Sequence, residues 1–332
     1  MTTPTSTRER RLVRRVGQRP VVARGAAPGY GPVFNAGLWR RNGTYHLFAR
    51  AVRLGHSRGA DGDPTYVNYV SDIVVFTSSD GREYEFAYVL ASADDASYED
   101  PRVQSVDTTD GPRLIMTYTH FPHDGRAPWR IGAQTLSWRH GRYELDAGSE
   151  TLLGPPGVAN KDAVVFNLSD GRVAMIHRIH PNMQLAVFDD LDHLWGADDD
   201  YWSHYLSDLE RHTLITPNPG ALGVGAGAPP VRTDEGLLLF FHERRADGSY
   251  TMNLALLDPD TGNVAGVLSE PLLSPARSWE RRGDVNNVIF VQGAHLDADT
   301  IYLTYGAADH HVGAATASLT SLLAALDAAR HA

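Results

Sequence analysis

The chain has 332 residues, with 30 basic against 40 acidic side chains, a formal charge of −10 and no cysteine. That balance offers no electrostatic footprint for DNA, RNA or an anionic membrane, and the missing cysteines remove disulfides, thiolate catalysis and cysteine-based metal sites. At the N-terminus, MTTPTSTRERRLVRRVGQR is basic but lacks the apolar stretch of a secretory signal, and no run of 18 apolar residues follows anywhere. This predicts a soluble, cytoplasmic protein with a flexible basic arm over residues 1–20 and one domain over 21–332. A small neutral molecule is a better partner than a nucleic acid or a membrane; a homo-oligomer stays open.

Beyond the arm, one pattern organises the chain: a turn, then an alternating or apolar strand that ends in polar residues. It occurs as RNGTYHLFAR (41–50), TDGPRLIMTYTH (109–120), SDGRVAMIHRIH (169–180), TDEGLLLFFHE (233–243) and DADTIYLTYGAAD (297–309). Aligned on Arg50, Tyr118, Arg178, His242 and Tyr305, the copies recur every 60–68 residues, room for about four short strands each. Four strands make one blade of a β-propeller, so the expected fold is all-β, a five-bladed propeller. In that arrangement equivalent strand ends converge on one funnel, and Arg50, Arg178, His242 and Asp309 meet there. Converging ionisable groups either hold a polar closure together or build a site.

The segments between the copies are read in turn. GHSRGADGDPTY (55–66) is a Gly- and Asp-rich loop of the kind that overhangs a propeller mouth. SYEDPRVQS (97–105) sets two acids before a proline and an arginine, which is either an ordinary turn or an acid held for chemistry. If the segment is extended, Glu99 and Asp100 point in opposite directions, leaving Glu99 at most a supporting role. The acidic DDLDHLWGADDDYW (189–202) reads as a helical surface connection. GVGAGAPP (223–230) is no dinucleotide loop, because two prolines stand where a helix should begin; its glycines bring backbone close to the pocket. The tail SLTSLLAALDAAR carries a helical stripe, Leu319, Leu322, Leu323 and Leu326, suited to packing on the closing blade. The 15 histidines show neither HExxH nor ligand spacing, and no metal or cofactor is expected.

Taken together, FNAGLWRRNGTYHLFAR, YEDPR, NKDAVVF followed by MIHR, GAGAPPVRTDEGLLLFFHE, YTMNLALLD and YGAAD resemble, in order, the fingerprints of glycoside hydrolase family 130 over about residues 30–325. The resemblance implies a five-bladed propeller acting on β-mannosides, either as an inverting phosphorylase or as a hydrolase. It implies Asp100 as general acid, a role that suits a carboxylic acid delivering a proton to a glycosidic oxygen. It places Asn35, Arg50 and Asp309 on the mannose before the scissile bond, and His242 and Tyr250 near the reacting centre. Arg102 is a candidate substrate contact, with a clamp on a carboxylate or carbonyl favoured over that role.

The attacking group is the open choice. Phosphorylases of the family gather two arginines and a lysine for phosphate. Here Lys161 stands in the first arginine's place, Arg178 is kept, and Gly223 lies near the lysine position. A lysine lacks the fork of an arginine, and Asp162 beside it adds a negative charge. Hydrolysis is therefore the preferred expectation, with Asp162 or Glu243 as the base that activates water at roughly 6.5–9.5 Å from the acid. Phosphorolysis, with Lys161, Arg178, His120 and His242 as an anion site, is the alternative. A propeller that binds sugar without turnover is a third reading.

Overall fold

Residues Asn42 and Gly43 both take positive φ, which these two residue types tolerate, and turn the strand Tyr30–Arg41 back onto Thr44–Arg53. Hairpins of this kind recur throughout. A computed structural model, which describes residues 12–58, 66–123, 125 and 128–330, shows five antiparallel sheets arranged as a five-bladed β-propeller. Blade 1 is Tyr30–Arg41, Thr44–Arg53, Ser71–Ser78 and Glu85–Ala91, from the axis outward. Blade 2 begins with Ala96–Thr108 and continues through Gly111–Pro122, Arg130–Arg139 and Arg142–Leu145, and blade 3 runs Lys161–Asn167, Val173–Arg178, Met183–Phe188 and Thr213–Ile215. Blade 4 consists of Gly223–Ala226, Gly236–Arg244, Tyr250–Leu257 and Val264–Val267.

Blade 5 takes strands from both ends of the chain. Ile289–Asp297, Thr300–Ala307 and His311–Ser318 receive Val13–Arg15 as their outermost strand, with Val13 opposite Ala317. Residues 13–15 thus belong to the ring rather than to an arm; residues 1–11 of the expected arm, and 59–65 of the loop at 55–66, lie outside the described residues. The repeated segments in the sequence are the second strand of each blade. The axis is lined instead by the strands that precede them.

Both faces of each blade are covered by its neighbours, so apolar side chains go to both faces and collect between blades. Five clusters result, one at each blade junction: around Val103 and Met116 between blades 1 and 2, Val165 and Met175 between 2 and 3, Val224 and Leu239 between 3 and 4, Leu254 and Val291 between 4 and 5, and Val312 and Val33 between 5 and 1. With the apolar groups so placed, the axis is left to polar ones.

The acidic stretch after blade 3 is more than a surface connection. Asp190 and Asp198 cap short helices, Leu191–Trp195 and Asp199–Ser207, and Trp202 and Tyr205 are buried in the cluster of blades 2 and 3. The tail forms the expected helix, Leu319–Arg330, which buries Leu322, Ala325 and Leu326.

Candidate active site

Three of the innermost strands break register near the axis. The breaks fall between Phe34 and Gly37, between Glu99 and Arg102, and between Lys161 and Val164. Inside them Asn35, Asp100 and Asp162 have φ of 45°, 52° and 57°. These are β-bulges with a residue in the left-handed region, where Asn and Asp are the most tolerant non-glycine types. Blade 5 has a corresponding break around Gln292, whose Nε2 donates to the Pro101 carbonyl at 3.0 Å. Asp309 follows blade 5's second strand, also at positive φ, 54°.

The bulge at Asp100 changes which way its neighbour points. Arg50 donates to Glu99 Oε1 at 2.6 Å and reaches Asp100 Oδ1 at 3.3 Å, so both acids turn to the same guanidinium. The extended-strand expectation for Glu99 fails here. Asn35 Nδ2 donates to the same Asp100 oxygen at 2.8 Å. Burial acts against the charge on Arg50, but Glu99, Asp100, Tyr69 and Asp309 hold its pKa above the usual value. Burial pushes the Glu99 carboxyl up, with Arg50 opposing and Asp100 adding to the rise.

Arg50, Tyr69, Glu99 and Asp309 line a cavity of about 390 Å³, whereas Asn35 and Asp100, each 3% exposed, are bonded together outside that lining, with Arg50 reaching Asp100 from the cavity side. Arg50 and Tyr69 come from blade 1, Glu99, Thr119, Phe121 and Trp129 from blade 2, Lys161 from blade 3, Arg244 and Tyr250 from blade 4, and Asp309 from blade 5. Phe121 and Trp129, both partly exposed, stack at 6.0 Å between ring centroids. The size fits a sugar ring with a further group, and the lining combines paired charges with aromatic faces, the usual make-up of a small-molecule site.

Below the cavity lies a sealed ionic cluster. Arg102, 1% exposed, donates to the carbonyls of Asp100, Ala226 and Gly227 and to Asp162 Oδ1 at 3.1 Å. It is a clamp across blades 2, 3 and 4 and does not line the cavity, which removes it from the substrate contacts. Burial would raise the pKa of Asp162, but Arg178, His242 and Arg102 hold it well below the ordinary carboxylate range. With its side chain fully enclosed, Asp162 has no access to a water, so a role as base is out of reach. Arg178 is its neighbour through Nε, at 3.2 Å.

Other expected residues are also placed elsewhere. His242 is fully buried, stacked on Phe290 at 4.0 Å, with its pKa lowered to about 4 chiefly by burial, and it does not reach the cavity. Glu243, next along the strand, faces the other way: Oε2 accepts from the Asn218 amide at 2.9 Å and lines a separate cleft. His120 lies outside the cavity lining, near Tyr98, while its neighbour Thr119 is inside. The glycines of GVGAGAPP do allow close approach, since a Cβ on Gly225 would press on Asp162 Oδ2 and lie 2.6 Å from His242 Nε2.

Tyr69, Phe121, Trp129 and Arg244 are lining residues the sequence reading left out, and Glu99 is one to which it gave at most a supporting role. One signal was available for Arg244, because it follows His242 by two residues on a strand and must share its face. Lys161 and Arg178 are Cα partners, as are Gly223 and Arg244. Among the described residues neither Lys161 nor Arg244 has an acid within ion-pair distance. His180, lowered by burial and then by Arg178, Arg244 and Lys161, feels all three cations at once. No group of three or more His, Asp or Glu among the described residues is arranged to hold a metal, and no helix there is long and apolar enough to cross a membrane.

Comparison with known proteins gives the family and the fold. The family model for glycoside hydrolase family 130, described as beta-1,4-mannooligosaccharide phosphorylase, matches residues 4–328. A 1,2-beta-oligomannan phosphorylase of Thermoanaerobacter sp. is 28% identical over 298 residues, 85% of this chain and 88% of its own. A beta-1,2-mannobiose phosphorylase of the same organism is 29% identical over 85% of this chain and 89% of its own. The solved beta-1,2-mannobiose phosphorylase of Listeria innocua, in complex with beta-1,2-mannobiose, shares the fold: TM-score 0.73 at 20% identity, covering 95% of this chain and 99% of that one.

Proposed function

The chain belongs to glycoside hydrolase family 130, and from that membership we propose that it is an inverting β-mannoside phosphorylase that uses inorganic phosphate. The observation that carries the choice of phosphate is the basic wall formed by Lys161, Arg178 and Arg244, two of which are unpaired and face the cavity. The expectation of water as attacker gives way, because the two acids considered as its base are otherwise placed: Asp162 is sealed behind the wall and Glu243 faces another cleft. The charge of Asp162 no longer argues against an anion either. It is compensated by Arg102 and Arg178 within the wall.

In the proposed reaction Asn35, Arg50 and Asp309 hold the mannose, with Tyr250 beside it. A phosphate oxygen bonds to the anomeric carbon from the face opposite the leaving oxygen while the glycosidic C–O bond breaks. Asp100 supplies the proton taken up by the leaving oxygen, relayed through a hydroxyl of the bound mannose, and the hydrogen phosphate proton restores the Asp100 acid. The products are α-mannose 1-phosphate and a saccharide one sugar shorter. No water is consumed and no second carboxylate is required. Arg50 acts by electrostatics and position, holding the Asp100 carboxyl at the bulge.

The test is incubation with β-1,2-, β-1,3- and β-1,4-linked mannobiose, with and without phosphate, and assay for mannose 1-phosphate against free mannose. Phosphate-dependent mannose 1-phosphate is expected, with the β-1,2 linkage favoured because both long-matching relatives are named for it. Release of two mannose molecules at equal rate without phosphate would return the reading to hydrolysis.

A further inference from the structure

We propose that Arg244 is the third cation of the phosphate subsite, supplied across a strand rung to a position where Gly223 provides no side chain. The inference rests on the phosphorylase reading and adds to it a residue outside the positions that the resemblance implies.

The argument begins with the ladder between Gly223–Ala226 and Gly236–Arg244. Gly223 faces Arg244 and Gly225 faces His242 as Cα partners. Alternation along the second strand sends Phe241 and Glu243 to one face and His242 and Arg244 to the other. His242 is enclosed in the ionic cluster beside Asp162, at 3.5 Å. Arg244, one step nearer the mouth, therefore lines the cavity together with Lys161.

The rung partner matters because of what it lacks. A Cβ at Gly223 would lie 3.1 Å from Cε1 and 3.2 Å from Nδ1 of His180, so a side chain there would crowd the His180 ring. Neighbouring antiparallel strands are about 5 Å apart, a gap that the long arginine side chain spans. The positive charge at this rung is thus carried by the second strand of the pair. The Leu222 amide donates to the Arg244 carbonyl at 2.7 Å, which fixes the backbone from which the side chain extends.

Its surroundings leave the guanidinium available. The Tyr250 ring centroid is 5.8 Å from Cζ, and no carboxylate among the described residues pairs with it. Arg178 differs, since Asp162 takes its Nε. A hydrogen phosphate dianion between them would meet one anchored arginine, one lysine point charge and one free fork. The fork matches two phosphate oxygens, which a lysine at Gly223 would not do.

The experiment is steady-state phosphorolysis of the mannobiose that the wild-type enzyme accepts, varying phosphate and disaccharide separately, for Arg244→Ala, Arg244→Gln and Arg244→Lys. Arg244→Ala and Arg244→Gln should raise the phosphate KM at least tenfold and leave the disaccharide KM within twofold; Arg244→Lys should recover part of the loss. Arg244→Gln keeps the length of the stem, and thermal melting of all three confirms that folded enzyme is compared. A phosphate KM within twofold of wild type in both charge-removing variants overturns the proposal, as does an equal rise in both KM values. Turnover by the wild type without phosphate is a separate result, which overturns the phosphorylase reading itself.

Discussion

Replacing Arg102 by methionine tests whether the axis is held by this one side chain. Methionine keeps much of the volume but removes the charge and every donor. The carbonyls of Ala226 and Gly227 and that of Asp100 lose a partner, and Asp162 loses one of its cations. A buried polar group left unpaired costs about 1–3 kcal/mol, and removing one partner of a buried ion pair about 3–5 kcal/mol. Arg178 and His242 still face Asp162, so the losses do not sum, and about 5 kcal/mol is the expected total. Against a typical stability of about 5–15 kcal/mol this is a large share. The assay is urea unfolding followed by tryptophan fluorescence, for Arg102→Met, Asp162→Asn and the double variant. Because Asp162→Asn removes the anion that Arg102 serves, the double variant should cost less than the sum of the singles by about 1–3 kcal/mol. An Arg102→Met protein within about 1 kcal/mol of wild type, or strict additivity, would show that the clamp does not hold the blades as argued.

Three further outcomes are expected. Asp100→Asn should lower turnover by about 10²–10⁴-fold, the range of a lost general acid, while calorimetry still detects disaccharide binding; unchanged turnover would move the acid elsewhere, with Glu99 the nearest carboxyl. Stability should fall as pH drops from 6.5 towards 4, because His242 and His177, lowered by burial to about 4 and about 3, stay neutral in the folded protein while the unfolded chain takes up protons below 6.5. The slope is about 1.4 kcal/mol per pH unit for each histidine in that window, and a pH-stability profile unchanged in His242→Gln would refute the assignment. Gly225→Ala should destabilise the protein by about 1–3 kcal/mol through overpacking, since its methyl would press on Asp162 and His242; a melting temperature equal to wild type would show that the cluster yields.

What the chain order alone determined was the number and spacing of the blades. A period of 60–68 residues with turn signals is a local property repeated five times, and it survives without knowledge of any contact. The helix at 319–330 was legible for the same reason, from its leucine spacing. Tertiary structure decided which way the polar side chains face. Simple alternation sends Glu99 away from Asp100, but pairing with Gly111–Pro122 inserts a bulge and brings both to Arg50. His242 and Arg178 end in strands that look equally exposed to a funnel, yet the ring seals one completely and leaves the other partly open. Arg244 gains its place from the register that sets it opposite Gly223. Bulges and registers belong to pairs of strands, and closure belongs to all five blades together. No single segment contains that information, because the energy that selects it is the pairing of groups far apart in the chain.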